Sequence, residues 1–443
     1  MRKNGVCDSN EGNGMNQRDT LTINAAGHLT IGGADTVELA KKFGTPLYVM
    51  DEKYVRDMCS AYRTAIEEDY AGNGLVLYAS KAFSCTAIYR IVAAERIGVD
   101  VVSGGELYTA LKAGFPADKI YMHGNNKLPA ELSMAVENGV GCIVVDSFAE
   151  IDALEAICER AGTVQRILIR VNPGVEAHTH HFIQTAKTDS KFGFSLADGT
   201  AEKITLYALQ KQHLRMEGYH CHIGSQIFEK ESFCLAADKM LAFMAEMKSQ
   251  HSFEASVLNL GGGYGIWYAE GDAQYTVADY SLYLKTVIAE VKKKAAEYGL
   301  KEPYLLIEPG RSIVGEAGIT LYTVGTIKEI PGVKNMSRWT AVCSITRATR
   351  CTRRSILPFW QTVRRKSRAK LFRLRGSAAK AATSSARTCR CRGRKREIFW
   401  RCSRRGLTTI RWRAITTATS CLPWFWCGTA RRIILLSRSR TKI

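Results

Sequence analysis

Leu75-Val-Leu-Tyr-Ala79, Val99-Asp-Val-Val102, Lys119-Ile-Tyr-Met122, Cys142-Ile-Val-Val145, Arg166-Ile-Leu-Ile-Arg-Val171, Glu217-Gly-Tyr-His-Cys-His222, Val257-Leu-Asn-Leu260 and Tyr304-Leu-Leu-Ile-Glu308 are eight short, mostly apolar runs in succession. Longer stretches with apolar residues three and four apart separate them, among them Cys85 to Arg96, Glu106 to Ala113, Ala149 to Arg160 and Tyr280 to Tyr298. That spacing is the period of an amphipathic helix. Strands alternating with helices predict an α/β protein with a parallel sheet, and eight repeats predict a closed, TIM-like (β/α)8 barrel. Gly98, Gly114 and Gly139 follow helical stretches, where a left-handed cap is expected. Before the barrel, Val37 to Phe43 reads as a short helix and Pro46-Leu-Tyr-Val-Met50 as a strand. After it, Thr320 to Ile327 alternates like a half-buried strand opening a separate β-domain.

Barrel enzymes place their chemistry at the C-terminal ends of the strands, so the residues there are the candidates for the site. Lys81 ends the first run, and its amine is expected in the barrel mouth with a pKa lowered by partial desolvation, as Schiff-base chemistry requires. Taken alone, a lysine at a strand end is as well read as a solvated charge. Gly261-Gly-Gly-Tyr-Gly265 follows the seventh run, a position where backbone N–H groups bind phosphate, though a Gly run also makes a plain flexible turn. Ser225, after the sixth run, adds a hydroxyl for the same anion. Glu308-Pro-Gly-Arg311 closes the eighth. Its acid suits a pyridinium nitrogen and its guanidinium an oxyanion, unless the two merely pair with each other. His222 could stack on an aromatic cofactor or be an ordinary core histidine. His178-Thr-His-His181 has no acid or thiol at ligand spacing, so no metal is assigned.

Composition excludes less than it first suggests. The 443 residues are 46% hydrophobic, enough for a large core. Met1 to Thr20 is polar, and no run approaches the ~20 apolar residues of a membrane span, so a cytoplasmic protein without a membrane partner is expected. The 14 cysteines are then expected to be reduced. A net charge of +20 would ordinarily point to nucleic acid. Asn335 to Ile443, however, holds 29 of the 62 basic residues and one of the 42 acidic ones, Glu397. That leaves 33 basic against 41 acidic residues before it, a net charge of −8.

Taken together and in this order, Tyr78-Ala-Ser-Lys81-Ala, Gly98-Val-Asp-Val-Val-Ser-Gly-Gly-Glu-Leu107, His123-Gly-Asn-Asn-Lys127, Arg170-Val-Asn-Pro-Gly174, Ser190-Lys-Phe-Gly193, His220-Cys-His-Ile-Gly-Ser-Gln226, Gly261 to Gly265 and Glu308-Pro-Gly-Arg311 resemble the fold-type III pyridoxal-phosphate decarboxylases, and within them the diaminopimelate decarboxylases. The resemblance runs from about Ala34 to Lys334. It implies pyridoxal 5′-phosphate as cofactor, with Lys81 as its Schiff-base lysine, His222 stacked on the ring and Glu308 at the pyridine nitrogen. Ser225, Gly262 and Gly263 would contact the phosphate, and Gly310 would be a further cofactor-binding residue. Arg311 would bind cofactor and substrate carboxylate. It further implies a small-molecule substrate, meso-2,6-diaminopimelate, converted to L-lysine and CO2 by a homodimer. Ornithine and arginine decarboxylases share the lysine, the glycine loop and the acid and form the alternative. The implied organisation is an N-terminal segment, 1–45, contributing to the β-domain; the cofactor-binding barrel, 46–315; the start of the C-terminal β-domain, 316–334; and a tail, 335–443.

The tail does not resemble the family as written. Back-translated with synonymous codons and read from the third base of each codon, Asn335 to Thr352 becomes Tyr-Val-Ala-Val-Asp-Gly-Gly-Met-Phe-Asp-Asn-Pro-Arg-Tyr-Ala-Leu-Tyr, a family-like continuation. Gly376 to Cys391 becomes Lys-Cys-Cys-Glu-Ser-Gly-Asp-Leu-Ile-Gly-Glu-Asp-Val-Pro-Leu, which holds the family's cysteine and acid, and Gly406 to Thr419 agrees on the same shift. A frameshift near Lys334 accounts for the arginine content as well. A basic nucleic-acid-binding tail is the competing reading. Against it stand six of the seven tryptophans and seven of the cysteines, scattered through the tail without metal spacing.

Overall fold

The computed structural model describes residues 20–175, 192–268, 272–330 and 334–339, with five short strand segments beyond them. His178 to His181 and Ser190-Lys191 lie outside the described residues. The chain opens with β1 (Leu21–Ile23), β2 (Leu29–Ile31), β3 (Ala34–Asp35), α1 (Thr36–Phe43), β4 (Leu47–Asp51) and α2 (Glu52–Asp69). The barrel strands follow: β5 (Gly74–Ala79), β6 (Gly98–Val101), β7 (Ile120–Met122), β8 (Cys142–Val145) and β9 (Gln165–Asn172), with β10 (Phe194–Ser195) as an extra strand beside β9, then β11 (Leu214–Cys221), β12 (Val257–Asn259) and β13 (Tyr304–Ile307). Between them run α3 (Thr86–Ala94), α4 (Gly104–Lys112), α5 (Pro129–Glu137), α6 (Phe148–Ala161), α7 (Thr200–Leu209), α8 (Lys230–His251) and α9 (Val277–Glu297).

All eight expected runs are strands, and all pair in parallel. The ring closes where β13 meets β5, Leu305 facing Gly74 and Ile307 facing Val76, and where β8 meets β9. Helix starts carry the caps that satisfy their free N–H groups. Ser103 accepts from Glu106 N and Ser147 from Glu150 N, while Thr276 and Asp279 form a capping box. Gly114 and Gly139 take the expected left-handed conformation, with φ of 78° and 66°. Gly98 does not. It is the first residue of β6, where a Cβ would lie 2.6 Å from Leu77 Cδ2 and 2.8 Å from the Lys119 carbonyl oxygen. Glycine is needed there for close strand approach, and Arg96 makes the left-handed step instead.

Alternation along the strands separates two cores. Val76, Val99, Ile143, Ile167, Leu305 and their neighbours face outward against the helices. Leu77, Tyr121, Cys142, Val144, Leu168, Val257 and Leu306 face inward and fill the barrel. Each such side chain contributes roughly 1.5–3 kcal/mol on burial. With the interior plugged by apolar groups, the next inward positions toward the C-terminal ends form a layer of their own. These positions are polar.

After the barrel come α10 (Arg311–Val314), β14 (Gly318–Ile330) and β15 (Lys334–Trp339). β4 lies antiparallel to β14, from Gly318 opposite Met50 to Leu321 opposite Leu47. This strand therefore belongs to the second sheet, ahead of the barrel as its sequence suggests, although it falls inside the segment 46–315. Leu21, Leu29, Ile31, Leu39, Leu47, Val49, Ile319 and Leu321 build a second small core there. β14 is buried on both faces from Gly318 to Tyr322, not half-buried as its alternation suggested, because strands flank it and the small core covers it. The tail adds β16 (Pro358–Trp360), β17 (Lys370–Leu374), β18 (Cys389–Cys391), β19 (Phe399–Cys402) and β20 (Ile433–Leu436), paired around β14, β15 and β4 in one eight-stranded sheet. Among the described residues no helix is long and apolar enough to cross a membrane.

Candidate active site

Lys81 lies in the short 3-10 turn Ser80–Ala82 that ends β5. Its Nζ donates to Asp100 Oδ2 at 2.6 Å. Asp100 reaches it from the adjacent strand, where it faces Ala79 in the β5–β6 register and is fully buried. The expected lowering of the lysine pKa is not found. Burial alone would lower it, but the Asp100 carboxylate, with Glu308 and Glu106 behind it, overrides burial and leaves the ammonium favoured above its ordinary value. Glu106 also fixes the turn, since Ser80 Oγ and Val102 N both donate to its Oε2 at 2.9 Å.

Glu308 follows β13 and is 3% exposed. Asn259 Nδ2 donates to its Oε1 at 2.7 Å, and His123 Nε2 lies 2.9 Å from the same oxygen. His220 Nε2 lies 3.4 Å from Oε2, and the two imidazoles meet edge to face at 4.8 Å. Burial favours the neutral acid, but His123 and His220 override it and hold the carboxyl well below the usual carboxylate range. His220 itself is pushed down to about 4 by burial. Among the described residues Glu308 and Arg311 form no ion pair, so the local-pair alternative fails.

The remaining expected residues lie close to Glu308. Gly262 N donates to His222 Nδ1 at 3.3 Å, which requires that nitrogen to be unprotonated. Burial, then the charges of Lys81 and Arg170, push the His222 pKa well below its ordinary value. A neutral ring with an edge fixed this way suits stacking. A Cβ on Gly262 would overlap the Glu308 carbonyl oxygen, and one on Gly263 would overlap that of Gly224. Gly310 is packed as tightly, with Ala79 Cβ 2.8 Å from where its own Cβ would be. Arg311 Nη2 donates to Ser225 Oγ at 2.6 Å and Nη1 to Gln226 Oε1 at 3.0 Å. Its Nε is buried without a hydrogen-bond partner among the described residues.

Lys81, His222, Ser225, Gly262, Gly263, Glu308, Gly310 and Arg311 thus converge on one rim, at the ends of β5, β11, β12 and β13. Sequence reasoning gave no role to Asp100, His123, His220, Asn259 or Gln226. Two signals were present. Asp100 and Asn259 are polar residues inside apolar strands, and His220 shares a strand face with His222 by the two-residue period.

Residues 53–315 match the family model of the pyridoxal-dependent decarboxylases, pyridoxal binding domain. The chain is 50% identical over 316 residues to a diaminopimelate decarboxylase of Bacillus methanolicus, covering 71% of this chain and 72% of the relative. It is 49% identical over 318 residues to that of Bacillus subtilis, covering 71% of each. The chain belongs to the diaminopimelate decarboxylase family. In three dimensions it is similar to the diaminopimelate decarboxylase of M. jannaschii solved in co-complex with L-lysine, with a TM-score of 0.82, 30% identity and coverage of 95% of this chain and 93% of that one.

The cofactor of a diaminopimelate decarboxylase is pyridoxal 5′-phosphate, which presents an aldehyde, a ring nitrogen and a phosphate. The residues present fit each part. Lys81 offers the amine. Glu308 offers a buried anion with Oε2 less engaged than Oε1. The Gly261–Gly263 backbone has no room for any Cβ and lies beside Ser225 and the unpartnered Arg311 Nε, the donor set an oxyanion takes.

Proposed function

We propose that the chain is built to decarboxylate meso-2,6-diaminopimelate to L-lysine and CO2, with pyridoxal 5′-phosphate in the barrel mouth. The observation that carries this reading is the buried Glu308 carboxylate, held as an anion on the same rim as Lys81 and the glycine cup. When bound, the cofactor supplies the electron sink for the pair left behind as the bond from the substrate's α-carbon to its carboxylate breaks. Glu308 keeps a negative charge where a protonated ring nitrogen needs one. His222 offers a neutral ring face, its edge fixed by the Gly262 N–H. Ser225, Gly262 and Gly263 would hold the phosphate, and Gly310 would line the cofactor site. Arg311, braced by Ser225 and Gln226, directs its free Nε at an anion, the substrate carboxylate or the phosphate. Asp100 accepts from Lys81 Nζ, and so controls when that nitrogen gives up its proton.

The enzyme works as a cytoplasmic homodimer, and the cysteine and acid that complete its site are encoded in the shifted frame of the tail. The chain as translated therefore takes up cofactor but turns over slowly or not at all. Restoring the frame tests this. The restored protein should show a cofactor absorbance band that borohydride abolishes and that Lys81→Ala lacks. It should release CO2 from meso-diaminopimelate in preference to ornithine, arginine or lysine. A band that persists in Lys81→Ala removes the cofactor assignment, and a preference for ornithine or arginine moves the enzyme to the alternative substrate class.

A further inference from the structure

The segment after β11 is zipped to the glycine loop after β12. Ile227 N donates to Gly263 O at 3.0 Å, and Gly265 N donates to Ile227 O at 2.8 Å. The Gln226 side chain extends this ladder as a further peptide group would: its Oε1 accepts from Ile266 N at 3.3 Å, and its Nε2 donates to Ile266 O. Gln226 is 8% exposed, so both ends of its amide need partners inside the protein. Its φ of 68° lies in the left-handed region, which residues with a side chain enter at a cost that glycine escapes. The bonds made by the amide offset that cost.

The same Oε1 accepts a second hydrogen bond, from Arg311 Nη1 at 3.0 Å. Ser225 Oγ takes Nη2 at 2.6 Å, and the guanidinium carbon lies 5.6 Å from the centroid of the Tyr268 ring, within reach of a cation–π contact. Both Nη atoms are thus tethered, while Nε is buried without a hydrogen-bond partner among the described residues. Each of these tethers is uncharged, and among the described residues no carboxylate pairs with Arg311. A glutamate at position 226 could accept the same bond but would cancel the charge. An amide orients the guanidinium and leaves its charge for something else.

We infer that Gln226 is a positioning residue for oxyanion recognition: it couples the glycine loop to Arg311 and sets an uncancelled guanidinium, with Nε open, against a phosphate or a carboxylate. The inference rests on the cofactor reading, which supplies both kinds of anion, the cofactor phosphate and the substrate carboxylates.

The full chain, as wild type, Gln226→Ala and Gln226→Glu, is titrated with pyridoxal 5′-phosphate and with pyridoxal, which has no phosphate. Binding is followed by absorbance and by quenching of intrinsic fluorescence. The cofactor-loaded forms are then titrated with meso-diaminopimelate and with 1,5-diaminopentane, which has the same two amines and no carboxylate. Each ratio of affinities isolates one kind of oxyanion. In both variants at least one ratio should fall about tenfold, the scale of one hydrogen bond to a charged group, with the affinities for pyridoxal and the diamine retained. A fall in the first ratio identifies the phosphate as the anion, and a fall in the second the carboxylate. Gln226→Glu is the stricter variant, because it keeps the shape and the acceptor for Arg311 Nη1 and changes the charge.

Ratios at their wild-type values in Gln226→Glu would overturn the inference. They would do so whether the affinities stay put or fall equally, the second result marking a glutamine that merely ties the loops together. A wild-type chain that binds neither pyridoxal compound defeats the cofactor reading itself, and the inference with it. Should the 443-residue chain aggregate, the same titrations on the frame-restored enzyme decide.

Discussion

Asp100 and Glu308 are both carboxylates buried at the barrel mouth, and their partners give them different work. Asp100 faces an ammonium 2.6 Å away and favours its charged form. Replacing it with asparagine keeps the shape and removes the charge, so the Lys81 pKa should fall. More of the amine is then neutral at any given pH, and the optimum for cofactor loading should move to lower pH. The pH dependence of the loading rate, wild type against Asp100→Asn, checks this; an optimum that stays in place would show that Asp100 does not tune the lysine. His220 makes a prediction about stability. It binds a proton near 6.5 when unfolded and only near about 4 when folded. Between those values the unfolded chain holds the extra proton, so stability falls as pH drops through that window, by up to about 1.4 kcal/mol per pH unit for this one group. His222 acts in the same direction. Glu308 acts in a lower window, because its depressed pKa contributes stability that is lost only as pH falls through that folded value. Urea unfolding of His220→Gln should therefore depend less steeply on pH than wild type between about 6.5 and 4. Parallel curves would assign the acid sensitivity elsewhere.

Strand ends and the turns after them set the geometry of the site, and glycines show how closely. Gly262 has no space for a side chain, since a Cβ would overlap the Glu308 carbonyl oxygen. Gly262→Ala must push β12 and β13 apart at their ends, shifting the phosphate cup and Glu308 together. Cofactor affinity should fall by about tenfold or more, with a lowered Tm. Gly139 is the control. Its φ is 66°, but nothing lies within 4 Å of where a Cβ would be, so Gly139→Ala should cost only about 1 kcal/mol of stability and leave cofactor binding alone. Calorimetric melts and cofactor titrations of the two variants distinguish a strained turn from a blocked contact. The same scale explains what could be read in advance. Strand order, helix positions and the residues at the rim depend on local period and punctuation, which the sequence carries directly. The sign of the Lys81 shift depends on Asp100 from the neighbouring strand, and the approach of His123 to within 2.9 Å of Glu308 depends on strands that are distant in sequence. Neither is visible until the ring closes, because no local pattern states which inward residues will share a layer.

In the whole molecule, the barrel and the tail relate differently to their sequences. The second sheet is paired around β14, β15 and β4 by short tail strands, and such pairing uses backbone groups that every reading frame supplies except at proline. Side-chain chemistry has no such tolerance. On the proposed reading the cysteine and acid that complete the site lie in the shifted frame, while the tail as translated holds 29 basic residues and one acid. The translated chain is therefore expected to be aggregation-prone and without normal turnover, while the restored one is soluble and active; normal turnover by the translated chain would contradict this. The proposed shift has a candidate position. Lys334-Asn335-Met336 can be encoded AAA AAT ATG, and one more adenine gives AAA AAA TAT G, which reads Lys-Lys-Tyr and continues in the family-like frame. Loss of one base from a run of six adenines is a slippage event. Resequencing that run and weighing the intact expressed protein settles its nature: six adenines, with a mass matching the restored frame, mean that a working enzyme is made, whereas five, with the mass of the basic tail, mean a disabled allele. If no single-base change near Lys334 restores the frame, the tail is a genuine basic segment, and salt-sensitive nucleic-acid binding that disappears on deleting Asn335 to Ile443 becomes the expected result.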